Sequence, residues 1–390
     1  MVHEKLVRWG VWLGILGVSG VASASHDEMT AHSEPLVMAQ HASASHGDPA
    51  VSHDLSESER TGGATLDDIL TIGGSTLIEE GTPRWVEPRP SSPLELHAWA
   101  EAGYLVPVGP VADVSGAYLS MARLQGRLHE NDFDAFIQVG ADSGDLKLLD
   151  ARIAWHPHER LYVRAGRFKS PVSAEYLIPA QRILFAHRSL HMAVVPRRNL
   201  GAEGEFTVGP EAADVALSVG VFDPAGYELG SEAGQLLTTR ALLHTAAGFG
   251  AHVAYASWFR GESAPRILGD ASPTHDRHLV GALLFEEHGV TSVVEGVIAQ
   301  HHEDRSDAGE AIGGMASVAY RFPTGFGELD IEPAVALEYL EWAEDRQTSS
   351  QVAVNFHPHD WNLTQTIEWE AHHHEGELGH AIYVQLQAGL

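Results

Sequence analysis

The chain has 390 residues, no cysteine, and 24 basic against 53 acidic side chains, a formal charge of −29. That balance excludes nucleic acid as a partner, and the lack of cysteine excludes a fold stapled by disulfides. No stretch reaches the ~18 consecutive apolar residues of a spanning helix, so past its N-terminus the chain is either soluble or a closed barrel of strands.

Lys5 and Arg8 precede an apolar run from Trp9 to Val21, and Ala22-Ser23-Ala24 follows as a small-x-small cleavage pattern. Residues 1–24 are therefore predicted to be a signal peptide, too short in its apolar run to stay as an anchor. Residues 25–90 are rich in Ser, Ala, His, Asp, Glu, Gly and Pro, and Ala-Ser-Ala-Ser-His occurs at 22–26 and again at 42–46. Such a composition buries too little apolar surface to offset its ordering entropy, which predicts a disordered, His-rich periplasmic lead-in. Within it, Leu66, Ile69 and Leu70 could form a turn or two of helix over Thr65–Leu77.

From Leu94 onward short stretches alternate apolar and polar residues. Phe133, Ala135, Ile137 and Val139 oppose Asp134 and Gln138; Leu149, Ala151, Ile153 and Trp155 oppose Asp150 and Arg152. Val215, Leu217, Val219 and Val221 oppose Asp214 and Ser218, and Leu329, Ile331, Val335, Leu337 and Tyr339 oppose Asp330, Glu332 and Glu338. The last stretch sets Ile382, Val384, Leu386, Ala388 and Leu390 against Tyr383, Gln385 and Gln387. A period of two is the mark of a strand with one greasy and one wet face. Leu161–Phe168 and Thr291–His301 alternate less cleanly and are assigned as strands from their spacing. About sixteen such segments fit between Leu94 and Leu390, which predicts an all-β fold: a transmembrane antiparallel barrel over residues 91–390 in the bacterial outer membrane. Trp155, Trp258, Phe322, Trp342, Trp361 and Trp369 stand at segment ends, where a girdle facing lipid and lipopolysaccharide needs aromatics. Short turns at His156–Glu159 and Pro323–Gly325 contrast with polar stretches at Gly261–Asp276 and Glu303–Glu310 that read as outer loops. A large soluble β-sandwich or propeller is the rival fold, and the export signal counts against it.

Charge is most uneven between Arg152 and Arg198. Arg152, Arg160, Arg164, Arg167, Lys169, Arg182, Arg188, Arg197 and Arg198 stand against only Glu159 and Glu175. Residues 170–199 are too long for an ordinary connection and too apolar for plain disorder. An inward-folded constriction loop resolves both: its apolar side packs on the inner wall and its arginines face the water path, where a cationic, low-dielectric channel attracts anions. Arginine suits this task because its fork stays charged and matches phosphate or carboxylate oxygens. Arg123 and Arg127 share a lumen parity with Gln125 and His129 and extend the same ladder. The competing reading is that these arginines bind lipopolysaccharide phosphates or pair with the many carboxylates.

The run from Arg164-Ala165-Gly166-Arg167-Phe168-Lys169-Ser170-Pro171 to Leu177, then Phe185-Ala186-His187-Arg188-Ser189-Leu190, then Val195-Pro196-Arg197-Arg198-Asn199-Leu200-Gly201-Ala202, resembles the signature of the phosphate-selective porin O and porin P family. The resemblance implies a sixteen-stranded porin, typically a homotrimer, that passes anions by diffusion. It also implies that Arg164, Arg167, Lys169, Arg188, Arg197 and Arg198 sit near the constriction. It does not by itself imply phosphate as the solute.

Twenty-five histidines are a heavy load. His372-His373-His374 with His380, the pair His301–His302, and His357 with His359 offer imidazoles near carboxylates, a chemistry suited to zinc or copper. A divalent-metal-binding outer-membrane protein is the second functional reading, with the His-rich lead-in and loops as its ligands. No run has the spacing of a closed structural site, so no cofactor is expected. Enzyme signatures are missing too: His374-Glu375 is followed by Leu378 where a zinc protease helix needs a second histidine. A barrel hydrolase would instead need Ser, His and a carboxylate gathered at one rim.

Overall fold

Strands whose alternate residues are apolar can coat a barrel with grease outside while holding polar groups within. The computed structural model describes residues 93–390 apart from 109–114, 143–144, 211, 224–234, 260–276, 301–309, 326–328, 343–344, 360–361 and 375. The signal, the lead-in, the helical turn at 65–77, the outer-loop stretches 261–276 and 303–309, His301, His302 and Trp361 lie outside the described residues.

The strands are β1 (Leu94–Val108), β2 (Gly116–Glu130), β3 (Phe133–Asp142), β4 (Asp145–His158), β5 (Leu161–Lys169), β6 (Arg198–Val208), β7 (Ala213–Asp223), β8 (Gln235–Thr245) and β9 (Phe249–Phe259). There follow β10 (Arg277–Glu287), β11 (Val290–Gln300), β12 (Ala311–Tyr320), β13 (Phe322–Pro323), β14 (Leu329–Trp342), β15 (Asp345–Pro358), β16 (Leu363–His374) and β17 (Glu377–Gly389). Chain neighbours pair antiparallel, and β1 pairs β17 from Trp99↔Gly389 to Val108↔His380, which closes the sheet. The two-residue β13 continues β12 past Arg321, and both lie against β14. The barrel therefore has sixteen spanning strands, as the alternation predicts, with one of them interrupted.

Parity falls as read from the sequence for most strands. Ile137, Leu217, Val335, Leu337, Val352, Ile367 and Leu386 face out, while Gln138, Ser218, Glu338, Gln351, Thr366 and Gln385 are buried within. Trp155 stacks on Phe133 at 6.3 Å, and Trp369 on His380 at 5.6 Å, on the outer surface. Two expectations are corrected. Leu149 is buried inside, not on the greasy exterior, because a bulge between Gln138 and Val139 in the β3–β4 pairing shifts the register there. Gly140 leaves the room it fills, since a Cβ at that position would lie 2.7 Å from Leu149 Cδ1. Trp342 shares the inward parity of Leu340 and packs on the buried cluster within, so it is no part of an outer girdle.

The segment 170–197, between β5 and β6, runs along the inner wall. Its neck is tied by Ser170 N to Arg197 O (2.8 Å) and Asn199 Nδ2 to Ser170 Oγ (2.8 Å). Val172, Tyr176, Met192, Val194 and Val195 pack on Phe222, Leu236, Val280, Val297 and Leu340 of β7 to β14. Ala174 and Ile178 pack on β10–β12, Leu184 and Phe185 on alanines of β12, β14 and β15, and Ala186 on Leu105, Ala381 and Tyr383 of β1 and β17. This explains the weak alternation of β11. Val293, Val297 and Ala299 face inward to meet the loop while Val294 and Ile298 face outward, so both faces are apolar.

Small residues on the wall let the loop approach. A Cβ on Gly313 would lie 2.7 Å from His191 Cβ. The variant Gly313→Val is therefore expected to push Leu190–Val194 off the wall, read as faster trypsin cleavage at Arg182 and Arg188 in the folded barrel. Cleavage as slow as in the parent would show that the wall yields instead.

Candidate functional site

The site is built where this loop meets the wall. Ser173, in extended conformation, accepts the Tyr176 N–H at 3.0 Å and so starts the single helical turn α1 (Ala174–Leu177). At its other end the free carbonyls need donors. Lys169 Nζ donates to Tyr176 O (2.6 Å) and Ile178 O (3.0 Å), and Arg188 donates to Glu175 O and to Ile178 O (2.5 Å). The Tyr176 ring lies within 6 Å of three cations: Lys169 at 5.1 Å, Arg188 at 5.4 Å and Arg198 at 5.9 Å.

Carboxylates on the far wall hold the rest. Glu295 on β11 accepts Ser173 Oγ (2.5 Å), Glu175 N (2.9 Å) and His191 Nε2 (3.0 Å). Glu338 on β14 accepts Leu190 N (3.1 Å), and Glu368 on β16 accepts Ala186 N (2.6 Å). His187 Nε2 lies 3.2 Å from Glu370 Oε2. All four glutamates are sealed, none more than 5% exposed. Burial alone would lower the His191 pKa, but the hydrogen bond and charge of Glu295, with the charges of Glu175 and Glu338, raise it above the ordinary histidine value.

The ten basic residues singled out in the sequence divide by accessibility. Arg164, Arg167 and Arg182 are buried, whereas Arg123, Arg127, Arg152, Lys169, Arg188, Arg197 and Arg198 keep partial access to solvent. Pairing with carboxylates, the competing reading, describes several of them. Arg164 forks onto Glu203 of β6 (2.8 and 2.5 Å), Arg198 reaches Asp150 at 3.0 Å, and Arg127 lies 3.6 Å from Asp134. Arg167 donates to Leu149 O at 3.2 Å. Arg123 sits over the Trp99 ring and Arg152 over Phe136. The Arg197 guanidinium has no partner among the described residues.

Sequence reasoning missed Arg240 on β8, paired with Glu205, and all the wall glutamates. Glu295 had a signal. It stands alone among the inward apolar residues Val293, Val297 and Ala299, and such a position holds a carboxylate only if donors arrive from elsewhere. Of the histidine run, His372 faces inward and His373 outward, so the triplet does not act as one cluster.

Ser189, His191 and Glu295 do form a hydrogen-bonded chain of hydrolase type, Ser189 Oγ lying 2.9 Å from His191 Nδ1. All three are buried, and the Ser189 hydroxyl donates to Glu175. The serine oxygen is sealed from any substrate and the imidazole is already engaged at both nitrogens.

Residues 129–254 match the phosphate-selective porin O and P family model. The match runs from the end of β2 to the middle of β9 and contains the whole lumenal loop. Among solved structures, OprB of Pseudomonas putida aligns with a TM-score of 0.53 at 12% identity, over 76% of this chain and 93% of that one. The anion-selective porin of Comamonas acidovorans aligns with a TM-score of 0.52 at 8% identity, over 76% and 99%. The trimer form of OmpT from Vibrio cholerae aligns with a TM-score of 0.51 at 9% identity, over 76% and 99%. No curated protein matches the chain in sequence. The fold is that of outer-membrane porins.

Proposed function

We propose that this porin passes small anionic solutes, phosphate among them, by passive diffusion through a constriction lined by its arginines. One observation carries the reading. The loop covers the acidic wall and gives Glu295, Glu338, Glu368 and Glu370 a hydrogen-bond partner each, while six arginines and Lys169 keep access to solvent. A net charge of −29 therefore need not set the field at the narrowest point. Local cations between low-dielectric walls do so. The family match over residues 129–254 and the anion-selective porin of similar fold support the same reading.

The chain acts as a channel and not an enzyme, is exported by removal of residues 1–24, and assembles as a homotrimer in outer-membrane lipid and lipopolysaccharide. Its outer apolar belt and the trimeric form of a fold neighbour support this. The deciding measurement is the reversal potential of the purified protein in a planar bilayer under a KCl gradient. Preference for chloride is expected, with block of the chloride current by added phosphate if phosphate binds the arginines. A preference for potassium would overturn the anionic reading and hand the field to the acidic remainder. The metal-binding reading rests on the His-rich lead-in and loops, and the lead-in lies outside the described residues.

A further inference from the structure

Where the loop passes β16, His187, Glu368 and Glu370 bring one ligand atom each to within 4.8 Å of the others, and all three side chains are buried. His187 Nε2 is 3.2 Å from Glu370 Oε2 and 3.8 Å from Glu368 Oε1. The surroundings are arranged as around a ligated histidine. His187 Nδ1 is 3.1 Å from the Arg188 carbonyl, so the imidazole can keep a proton there and release the one it shares with Glu370 through Nε2. A divalent cation between Nε2 and the two carboxylates takes the place of that proton. The carboxylates are held from behind: Ser349 Oγ donates to Glu370 Oε1 at 2.8 Å, Tyr383 Oη to Glu370 Oε2 at 3.1 Å, and Ala186 N to Glu368 Oε2 at 2.6 Å.

Two further polar groups of β16 are left over. Glu368 Oε1, the oxygen turned toward His187, accepts no hydrogen bond. His372 lies two residues beyond Glu370 on the same inward face of β16, is 94% buried by its 6% exposure, and neither ring nitrogen has a hydrogen-bond partner. Unmet polar groups in a sealed site are costly, and a cation bound at Glu368 Oε1 repays part of that cost.

We propose that His187, Glu368 and Glu370 form a site for one first-row divalent cation of the zinc class, which staples the loop to the barrel wall. Two carboxylates balance the ion's charge, and an imidazole nitrogen among the ligands suits a borderline-soft cation better than magnesium or calcium, which take oxygen alone. The site is independent of the anionic path, which the accessible arginines line, so either reading can fail without the other.

The test uses the full mature chain in detergent, stripped with chelator, loaded with zinc and desalted, with bound metal measured against protein. Lead-in histidines contribute equally to every sample, so the readout is the difference between variants. The parent is expected to retain one equivalent more than the Glu368→Gln, Glu370→Gln double variant and than His187→Ala. Cobalt loading should give the parent a stronger visible d–d absorption than either variant. Should those variants fail to fold, Ser349→Ala keeps every ligand and loses one supporting bond; its zinc affinity is expected to fall about 10–100-fold. Equal retention by the parent and the folded variants would overturn the proposal, as would unchanged affinity in Ser349→Ala.

Discussion

A chain carrying Glu295→Ala is expected to conduct with its constriction released. Glu295 is the point at which three loop donors converge: Ser173 Oγ, Glu175 N and His191 Nε2. Deleting it removes the main partner that holds the buried His191 in its charged form and leaves two more donors unmet. Breaking a buried pair in this way costs roughly 3–5 kcal/mol, which at about 1.4 kcal/mol per decade shifts the ratio of detached to docked loop by roughly 10²–10⁴-fold. The barrel itself is held by strand pairing closed through β1 and β17, so the cost falls on the loop and not on the fold. The expected result is a larger single-channel conductance together with trypsin cleavage after Arg182 and Arg188, while the barrel keeps its resistance to detergent. Parental conductance with an uncut loop would mean that apolar packing alone holds the loop in place.

The second large effect concerns selectivity. Arg123, Arg152 and Arg197 are partly accessible, with Arg123 over the Trp99 ring and Arg152 over Phe136. Replacing all three with glutamate reverses six units of charge along the path. Each unit is worth about 1 kcal/mol at 4 Å in water and less at greater distance or in salt. Even a third of the nominal sum exceeds the roughly 1.4 kcal/mol that separates tenfold differences in permeability. The anion-to-cation permeability ratio should therefore fall by a factor of about 10 or more, and the reversal potential should change sign. A ratio that stays within a factor of two would remove these arginines from the permeation path.

Strand number and parity were legible because lipid imposes a strict rule. Residues such as Ile137, Val335 and Leu386 must be greasy, and their neighbours Gln138, Ala336 and Gln385 are free of that demand. The rule weakens where a second solvent intervenes. Under the loop, Val293 and Val297 face protein and not water, and the alternation dissolves there. Leu149 was misplaced because a one-residue bulge is invisible to a count of alternate positions. The basic cluster was legible as a local charge excess, but its division into buried clamps and accessible side chains was not. Arg164 is claimed by Glu203, 39 residues away, and Arg198 by Asp150, 48 residues away. Lys169 and Arg188, which the sequence marks as anion ligands, also close the carbonyl end of a single helical turn. Only the folded loop brings those carbonyls within reach.

The wall beneath the loop also bears on how the chain reaches the membrane. Strands β10 to β12 carry valine, leucine, isoleucine and alanine on both faces, so they are sticky on either side until the loop is docked. The loop is made first, and its bonds to the wall span 122 residues from Ser173 to Glu295 and 206 residues from Gln181 to Gln387. Contacts of such long range form slowly and leave apolar surface open to aggregation in the meantime. Until the loop docks, the second half of the chain exposes more apolar surface than the first.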